Sequence, residues 1–152
     1  MMAISKKGFD AVVANNLTGG FLMMREVFNQ SMETHGGAVV NMTADFRNGM
    51  PGMAHSGAAR AGMSNLTMTA AYEWAHAGVR VNAVCPGIID TFRMDDVGRG
   101  EQWENMIAAY VPLRRAGTGL DIANMVVYLC SEQGSWISGQ LYSVDGGMVP
   151  GR

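Results

Sequence analysis

The most regular pattern of apolar and polar positions in the chain runs from Met53 to Thr91 and predicts a helix followed by a buried strand. Apolar side chains recur at helical spacing between Met63 and Trp74, which places them on one face of the helix. Val79 to Cys85 is then rich in β-branched residues, and Pro86-Gly87 ends the run. Open parallel sheets bind ligands beyond the carboxyl ends of their strands, so we expect the functional site at this Pro-Gly turn.

Small residues occupy most positions in the first turns of the same helix. They are Ser56, Gly57, Ala58, Ala59, Ala61 and Gly62. A helix without bulky side chains on one surface can bring its backbone close to a neighbour, so we expect a tight helix contact here. Gly78 then stops the helical pattern before the strand.

The rest of the chain repeats the alternation of helix and strand. In chain order the segments are a helix from Ile4 to about Glu33, a strand from Ala38 to Met42, a short helix from Trp103 to Tyr110, a helix from Leu120 to Cys130 and a strand from Gln140 to Val144. Thr118 is placed to cap the fourth of these segments. Alternating helices and strands predict parallel strands with right-handed crossovers, so the fold class is α/β with a doubly wound parallel sheet.

Two stretches break these patterns. A cluster of asparagine and glycine from Asn15 to Gly20 interrupts the first helix and predicts a kink or a polar group that faces inward. Residues 92–101 carry charges and glycines without periodicity, which is typical of a mobile lid over a site.

Composition narrows the range of partners. The 152 residues fit one domain, and a formal net charge of −2 gives no basic surface for nucleic acid or anionic lipid. No apolar run approaches the roughly 18 residues of a membrane span, so no membrane contact is expected. Cys85 and Cys130 lack metal-ligand spacing, and we expect two buried, reduced thiols, no metal site and a cytoplasmic protein.

Seven short motifs occur in an order and spacing that are specific together although each is weak alone. They are Asn16–Gly19, Val39–Asn41, Arg80–Asn82, Pro86–Thr91, Pro112–Arg115, Asp121–Ala123 and Val144–Gly147. With them, essentially the whole chain resembles the carboxyl-terminal half of a short-chain dehydrogenase/reductase. The segment from His55 to Gly62 is similar to the branch of trans-2-enoyl-CoA and 2,4-dienoyl-CoA reductases.

The resemblance implies that residues 1–152 form the carboxyl-terminal part of a single NAD(P)-binding Rossmann-like domain. The glycine-rich turn that holds the cofactor pyrophosphate in the family has no counterpart in these residues, so NADP or NAD is expected to bind only with an additional amino-terminal half. The family also implies a small-molecule substrate, either an acyl thioester or a ketone, and a homo-oligomer.

The family's catalytic helix usually carries a tyrosine and a lysine four residues apart. Aligned through Ala61-Gly62, these positions are Ser56 and Arg60 in this chain. Residues four apart share one face of a helix, so Arg60 can keep the positive charge and bind a ribose hydroxyl. Ser56 can face the substrate, but its hydroxyl is too weak an acid to replace a phenol.

Several residues could therefore supply or organise the proton. Asp45 takes the place of a loop tyrosine in the dienoyl reductases and could serve if burial raised its pKa, whereas His55 needs no such shift. Asn16 would organise a proton-supplying water together with Arg60. Thr43 could bind a carbonyl or thioester oxygen, or could be only a strand-end hydroxyl.

The cofactor's nicotinamide end is expected at five further positions that the resemblance identifies. They are Asn41, Pro86, Gly87, Ile89 and Thr91, in addition to Arg60. The implied function is an NAD(P)(H)-dependent reductase of an enoyl or carbonyl substrate. The alternative is a non-catalytic partial chain that acts by pairing with another dehydrogenase subunit.

Assembly follows from the same strand order. In the family the strand Ala38–Met42 has a neighbour on each side, and one of these is not in the present sequence. An unguarded apolar edge invites another strand, so the chain is expected to dimerise, aggregate or require a complementary half.

Overall fold

A long, irregular helical segment opens the structure, a computed structural model that describes residues 1, 3–47, 49–91 and 100–148. In order it contains α1 (Lys6–Val13), a π-helical turn (Ala14–Thr18), α2 (Gly19–Val27), a second π-helical turn (Phe28–Met32) and α3 (Glu33–His35). The first π-helical turn coincides with the asparagine and glycine cluster, so the predicted irregularity is confirmed. Gly36, at φ 69°, ends the segment because a positive φ suits a residue without a Cβ.

Shorter elements complete the chain. They are β1 (Gly37–Met42), α4 (Ala54–Glu73), a 3₁₀ turn (Ala75–Ala77), β2 (Val79–Pro86), β3 (Ile89–Asp90), α5 (Glu101–Tyr110), β4 (Gly117–Thr118), α6 (Gly119–Cys130), a 3₁₀ turn (Glu132–Gly134) and β5 (Leu141–Val144). Thr118 and Asp121 form a capping box at the start of α6, as the sequence predicts for Thr118. Residues 92–99 of the expected lid lie outside the described residues.

Three parallel strands form the main sheet in the order β1–β2–β5. The register places Gly37 beside Val79 and Met42 beside Val84, while Pro86 lies beside Val144. The predicted parallel α/β architecture is confirmed. In the described part of the chain β1 has a strand on one side only, so it forms an edge of the sheet.

The two faces of the sheet carry separate apolar clusters. Val79 and Val81 point to one face, where they contact residues of α2 and α4, including Met24 and Met63. Val84 points to the other face and contacts Leu129 of α6. Because helices cover both faces, the strands of the sheet can be apolar on both sides, which explains their sequence.

The small residues of α4 allow the close contact that the sequence predicts. A Cβ on Gly62 would lie 2.9 Å from Leu17 Cδ2, so only glycine fits this crossing without displacement. Ala59 is fully buried in the same contact region. The long helical segment and α4 therefore meet closely enough for polar side chains to bond across them.

One expectation about the thiols is wrong. Cys85 is buried at the end of β2, but Cys130 is exposed on α6. Nearly every residue of α6 is apolar, and the helix turns Val127, Tyr128 and Cys130 to the surface. Among the helices of the described ranges, none has the length and hydropathy that crossing a bilayer requires.

Candidate functional site

The carboxyl ends of the three parallel strands meet at one edge of the sheet. Met42 ends β1 and Thr43 follows it, Pro86 ends β2, and Asp145 follows β5. Because all three strands point the same way, the loops after them share this edge, as the sequence predicts for the ligand-facing end.

Arg60 joins three elements at this edge. Its Nη1 donates a hydrogen bond to Met42 O at 2.7 Å, and its Nη2 donates to Asn16 Oδ1 at 3.0 Å. Asn16 reaches Arg60 from the first π-helical turn, a wider turn that occurs often at functional sites. The structure thus brings together two residues that the sequence assigned to one site.

The Nε of Arg60 is buried and has no hydrogen-bond acceptor. Within the described residues, the other buried side-chain polar atoms without a partner are the two carboxylate oxygens of Asp45. Leaving a buried donor or acceptor unpaired costs on the order of 1–3 kcal/mol, so such groups need an explanation. The Arg60 guanidinium contacts the last residue of β1, and Asp45 lies in the loop that follows that strand.

Ser56 lies one turn before Arg60 on the same face of α4, as its spacing predicts. Next to it, His55 Nδ1 accepts a hydrogen bond from the Ser56 backbone N–H at 2.8 Å. An imidazole nitrogen that accepts is not protonated, so in the neutral ring the proton lies on Nε2 and can be donated.

Thr43 and Asn41 have partners inside the fold. The Thr43 hydroxyl is buried, 3.2 Å from Val84 O and 2.9 Å from Cys85 Sγ, which favours the strand-end alternative. Asn41 Nδ2 donates to Thr67 Oγ1 at 2.9 Å. The structure therefore does not bring Asn41 to Arg60, because the side chain of this strand position is directed to the middle of α4.

Asp45 meets the condition under which it could hold a proton. Burial of its carboxyl group raises its pKa, and the negative charge of Asp145 raises it further, while the charge of Arg47 opposes them. Both effects disfavour the ionised form. Asp45 is thus the carboxyl group at this edge whose surroundings favour the protonated form.

The remaining predicted cofactor positions surround the end of β2. Gly87 lies so close to the loop after β5 that a Cβ would be 2.7 Å from Asp145 Cα. Ile89 lines a cavity of about 300 Å³ together with residues of that loop, and Thr91 is exposed. Pro86, Gly87 and Ile89 therefore lie at the sheet edge, on the side nearer β5.

Sequence reasoning did not single out Asp145 or the pair Arg115–Asp121. Arg115 donates two hydrogen bonds of 2.9 Å to the Asp121 carboxylate, which also accepts from the Thr118 N–H at 2.7 Å. Arg115 and then Thr118 hold the pKa of Asp121 well below its usual range. Asp121 therefore caps a helix as a carboxylate. Asp145 was visible only as part of the terminal motif.

Comparisons with known families and proteins agree with one another. Residues 1–149 match the family model described as enoyl-(acyl carrier protein) reductase. A 3-oxoacyl-[acyl-carrier-protein] reductase FabG of Rickettsia felis is 36% identical over 142 residues, which are 93% of this chain and 58% of that protein. The corresponding FabG of Staphylococcus aureus is 37% identical over 149 residues, or 97% and 60% of the two chains.

Solved structures give the same result. The citronellol catabolism dehydrogenase AtuB of Pseudomonas aeruginosa PAO1 is 50% identical, with a TM-score of 0.84 over 97% of this chain and 57% of that one. A 4-hydroxyisoleucine dehydrogenase mutant complexed with NADH and succinate is 28% identical, with a TM-score of 0.91 over 99% and 63%. The present chain spans less than two thirds of the length of these proteins.

Proposed function

Because the chain belongs to the short-chain dehydrogenase/reductase family, we propose that it provides the nicotinamide end of an NAD(P)(H)-dependent oxidoreductase. The substrate class is an acyl thioester with a 3-keto or enoyl group, or a ketone. Relatives named for 3-oxoacyl reduction and a family model described as an enoyl reductase support both kinds of acyl substrate.

The observation that carries this proposal is the unpaired Nε of Arg60. A buried guanidinium N–H without an acceptor suits an oxygen that a ligand brings, such as a ribose hydroxyl. Arg60 already holds Asn16 and the last carbonyl of β1, so its position is fixed before a ligand arrives. The residues present therefore fit the nicotinamide-ribose end of the cofactor.

The chain's own residues would divide the remaining work. A bound NADH or NADPH supplies a hydride. Arg60 binds the ribose, Asn16 fixes the guanidinium of Arg60, and Ser56 faces the substrate. Proton transfer completes the reduction, and the donor regains its proton from solvent water.

Asp45 and His55 are the two proposed proton donors. Asp45 is supported by its raised pKa, and His55 by the Nε2 proton that its bond to Ser56 implies. The variants Asp45→Asn and His55→Gln separate them in the pH profile of kcat. A proton donor must be protonated, so its ionisation produces the fall of kcat at high pH. Loss of this alkaline limb in only one variant identifies the donor, and loss in neither contradicts both.

Turnover tests the role of Arg60. In the protein with a complete cofactor domain, Arg60→Ala should lower kcat/KM about 10- to 100-fold, because a charge-assisted hydrogen bond is lost. Ser64→Ala is the matched control, since Ser64 lies one turn further on and its hydroxyl donates, among the described residues, to the Arg60 backbone carbonyl alone. Equal losses in both variants would contradict the assignment.

The isolated chain of 152 residues should bind NADH and NADPH weakly or not at all. Its sequence contains no glycine-rich turn before a helix that could hold a pyrophosphate. Calorimetry is the measurement. Micromolar affinity for either cofactor would show that the present residues suffice.

A homo-oligomer is proposed from the large apolar side chains that α2 and α4 expose. They are Phe21, Leu22, Met23 and Val27 of α2 and Met68 of α4. Exposed apolar side chains of this kind support a protein partner, which a second copy would provide. A single monomer of 16.3 kDa by light scattering, with a melting temperature independent of concentration, would contradict it.

The same side chains support the alternative function, in which the chain only pairs with another dehydrogenase subunit. Cofactor fluorescence discriminates the two functions in the protein with a complete cofactor domain, where a subunit that only pairs would leave NADPH fluorescence unchanged and an oxidoreductase would change it. A cytoplasmic location is proposed from the two free thiols, which suit a reducing compartment.

A further inference from the structure

A polar pair joins β1 to α4 inside an otherwise apolar layer. On the face of β1 that α4 covers, Val39 packs against the apolar cluster of that side, whereas Asn41, two residues on, is polar. Asn41 Nδ2 donates to the hydroxyl of Thr67, which is fully buried on α4, at 2.9 Å. Two apolar residues could fill this space without needing a hydrogen bond, so the pair points to a role other than packing.

The Thr67 hydroxyl makes this bond in one direction only. A hydroxyl group has a single proton, and Thr67 Oγ1 donates it to Met63 O, one turn earlier on α4, at 2.9 Å. The Asn41 amide group must therefore be the donor and Thr67 Oγ1 the acceptor, which fixes the orientation of the amide. The three residues thus form a directed chain of hydrogen bonds from the strand to the backbone of the helix.

Both members of the pair are connected to Arg60. On α4, Arg60 and Thr67 are seven residues apart, so they lie on one face of the helix, about 10 Å apart along its axis. On β1, Asn41 immediately precedes Met42, whose carbonyl oxygen accepts from Arg60 Nη1 at 2.7 Å. Two adjacent strand residues are therefore bonded to two side chains on the same face of α4.

We propose that Asn41 and Thr67 are positioning residues, whose hydrogen bond holds Met42 O where it orients the guanidinium of Arg60. The inference rests on the proposed function, because it concerns how Arg60 is held for the cofactor ribose. With one bond alone, the end of β1 could turn against α4, and the Nε–H of Arg60 would lose its direction. Two bonds remove that freedom before a ligand binds.

A double-mutant cycle for cofactor affinity tests the connection to Arg60. In the protein with a complete cofactor domain, Thr67→Val removes the hydroxyl with little change of shape and should raise Kd for NADH about fivefold. Added to Arg60→Ala, which alone should raise Kd about tenfold, it should have almost no further effect, since it acts through Arg60. An unchanged Kd in Thr67→Val, or a product of about fiftyfold in the double variant, would overturn the proposal.

Further variants separate positioning from stability. Replacing both members, as Asn41→Leu with Thr67→Val, leaves neither partner of the bond unpaired and should recover most of the stability that Thr67→Val loses. Its Kd should stay raised, and a Kd that recovers together with the melting temperature would show a structural role only. Thr67→Ser keeps the hydroxyl and should bind NADH more tightly than Thr67→Val, and equal values would count against the bond. The exposed Thr69→Val on α4 is the matched control and should bind as the parent does.

Hydrogen exchange of the Arg60 Nε–H gives a second measurement that requires no cofactor. Its nuclear magnetic resonance signal is identified by its loss in Arg60→Ala. Exchange should be at least about threefold faster in Thr67→Val than in the parent, and should match the parent in Thr69→Val. Equal rates in all three proteins would overturn the positioning role. If the rates differ while Arg60→Ala leaves Kd unchanged, the proposed function is contradicted and the positioning of Arg60 is not.

Discussion

Arg60, in the segment His55–Gly62, and Arg80, in the motif Arg80–Asn82, lie in two regions that are built differently. Arg80 Nη1 donates to Leu129 O at 2.6 Å and to Ile137 O at 3.4 Å, and so binds carbonyls at and beyond the end of α6. Beside it, Asn82 donates to Ile137 O at 2.8 Å and accepts from the Gln140 N–H at 3.0 Å. In this region the side chains of Arg80 and Asn82 thus bond backbone groups of the fold itself.

The region of Arg60 differs, because some of its buried polar atoms have no hydrogen-bond partner. Its Nε and both oxygens of Asp45 are buried without partners, although they lie beside the sheet edge where ligands bind. A fold tolerates unpaired groups where they serve another purpose. The comparison teaches that Arg80 and Asn82 use their polar atoms to hold the fold together, whereas Arg60 and Asp45 keep buried polar atoms unpaired, which supports the ligand-binding role that we propose for this region.

Asn82 gives the largest expected effect. Asn82→Ala leaves the Gln140 N–H without an acceptor and leaves Ile137 O with only the longer bond from Arg80, in a site that is 1% exposed. It should lower the free energy of unfolding by about 3 kcal/mol. Urea unfolding measures it. The exposed Asn124→Ala on α6 is the control and should change little. A loss below about 1 kcal/mol for Asn82→Ala would mean that the region is less tightly organised than its bonds indicate.

The two arginines should differ in stability when each is truncated. Arg80→Ala should cost about 2 kcal/mol because it leaves helix-end carbonyls without a donor. Arg60→Ala should cost less, since it also removes a buried N–H that has no acceptor. Thermal unfolding of both variants at one concentration is the measurement, and the reverse order would remove the basis for the comparison.

Asp45 should show a smaller effect whose size depends on pH. Because burial and Asp145 raise its pKa, ionised Asp45 opposes folding at neutral and higher pH. Asp45→Asn should therefore increase stability there, and the difference should shrink as pH falls towards the ordinary range for aspartic acid. Unfolding curves at several pH values test this. A variant that is less stable than the parent at high pH contradicts it.

The parts of the fold that local patterns determine were predictable. The three strands of the main sheet, α4 and the Thr118 cap follow from periodicity and capping residues, and the family resemblance placed Asn16 and Arg60 at one site. The short strands β3 and β4 were not predicted. Contacts between distant loops were also not predicted. Asp45 and Asp145 are one hundred positions apart and meet only because β1 and β5 flank β2.

The directions of individual side chains could not be predicted from the sequence either. The sequence left open whether the Thr43 hydroxyl faces a substrate, and it assigned Asn41 to the cofactor; the structure pairs these residues with Cys85 and Thr67. The exposure of Cys130 was missed because α6 is apolar on nearly all sides, so its periodicity does not show which face is buried.

Cofactor affinity of the two arginine variants tests the central claim most directly. In the protein with a complete cofactor domain, NADH and NADPH are titrated by fluorescence against the parent, Arg60→Ala and Arg80→Ala, at a temperature where all three are folded. We expect Arg60→Ala to raise Kd about tenfold or more, because it removes a donor to the cofactor, and Arg80→Ala to stay within about threefold of the parent. An unchanged Kd in Arg60→Ala, or an equal loss in Arg80→Ala, would contradict the assignment of the cofactor site to the end of β1.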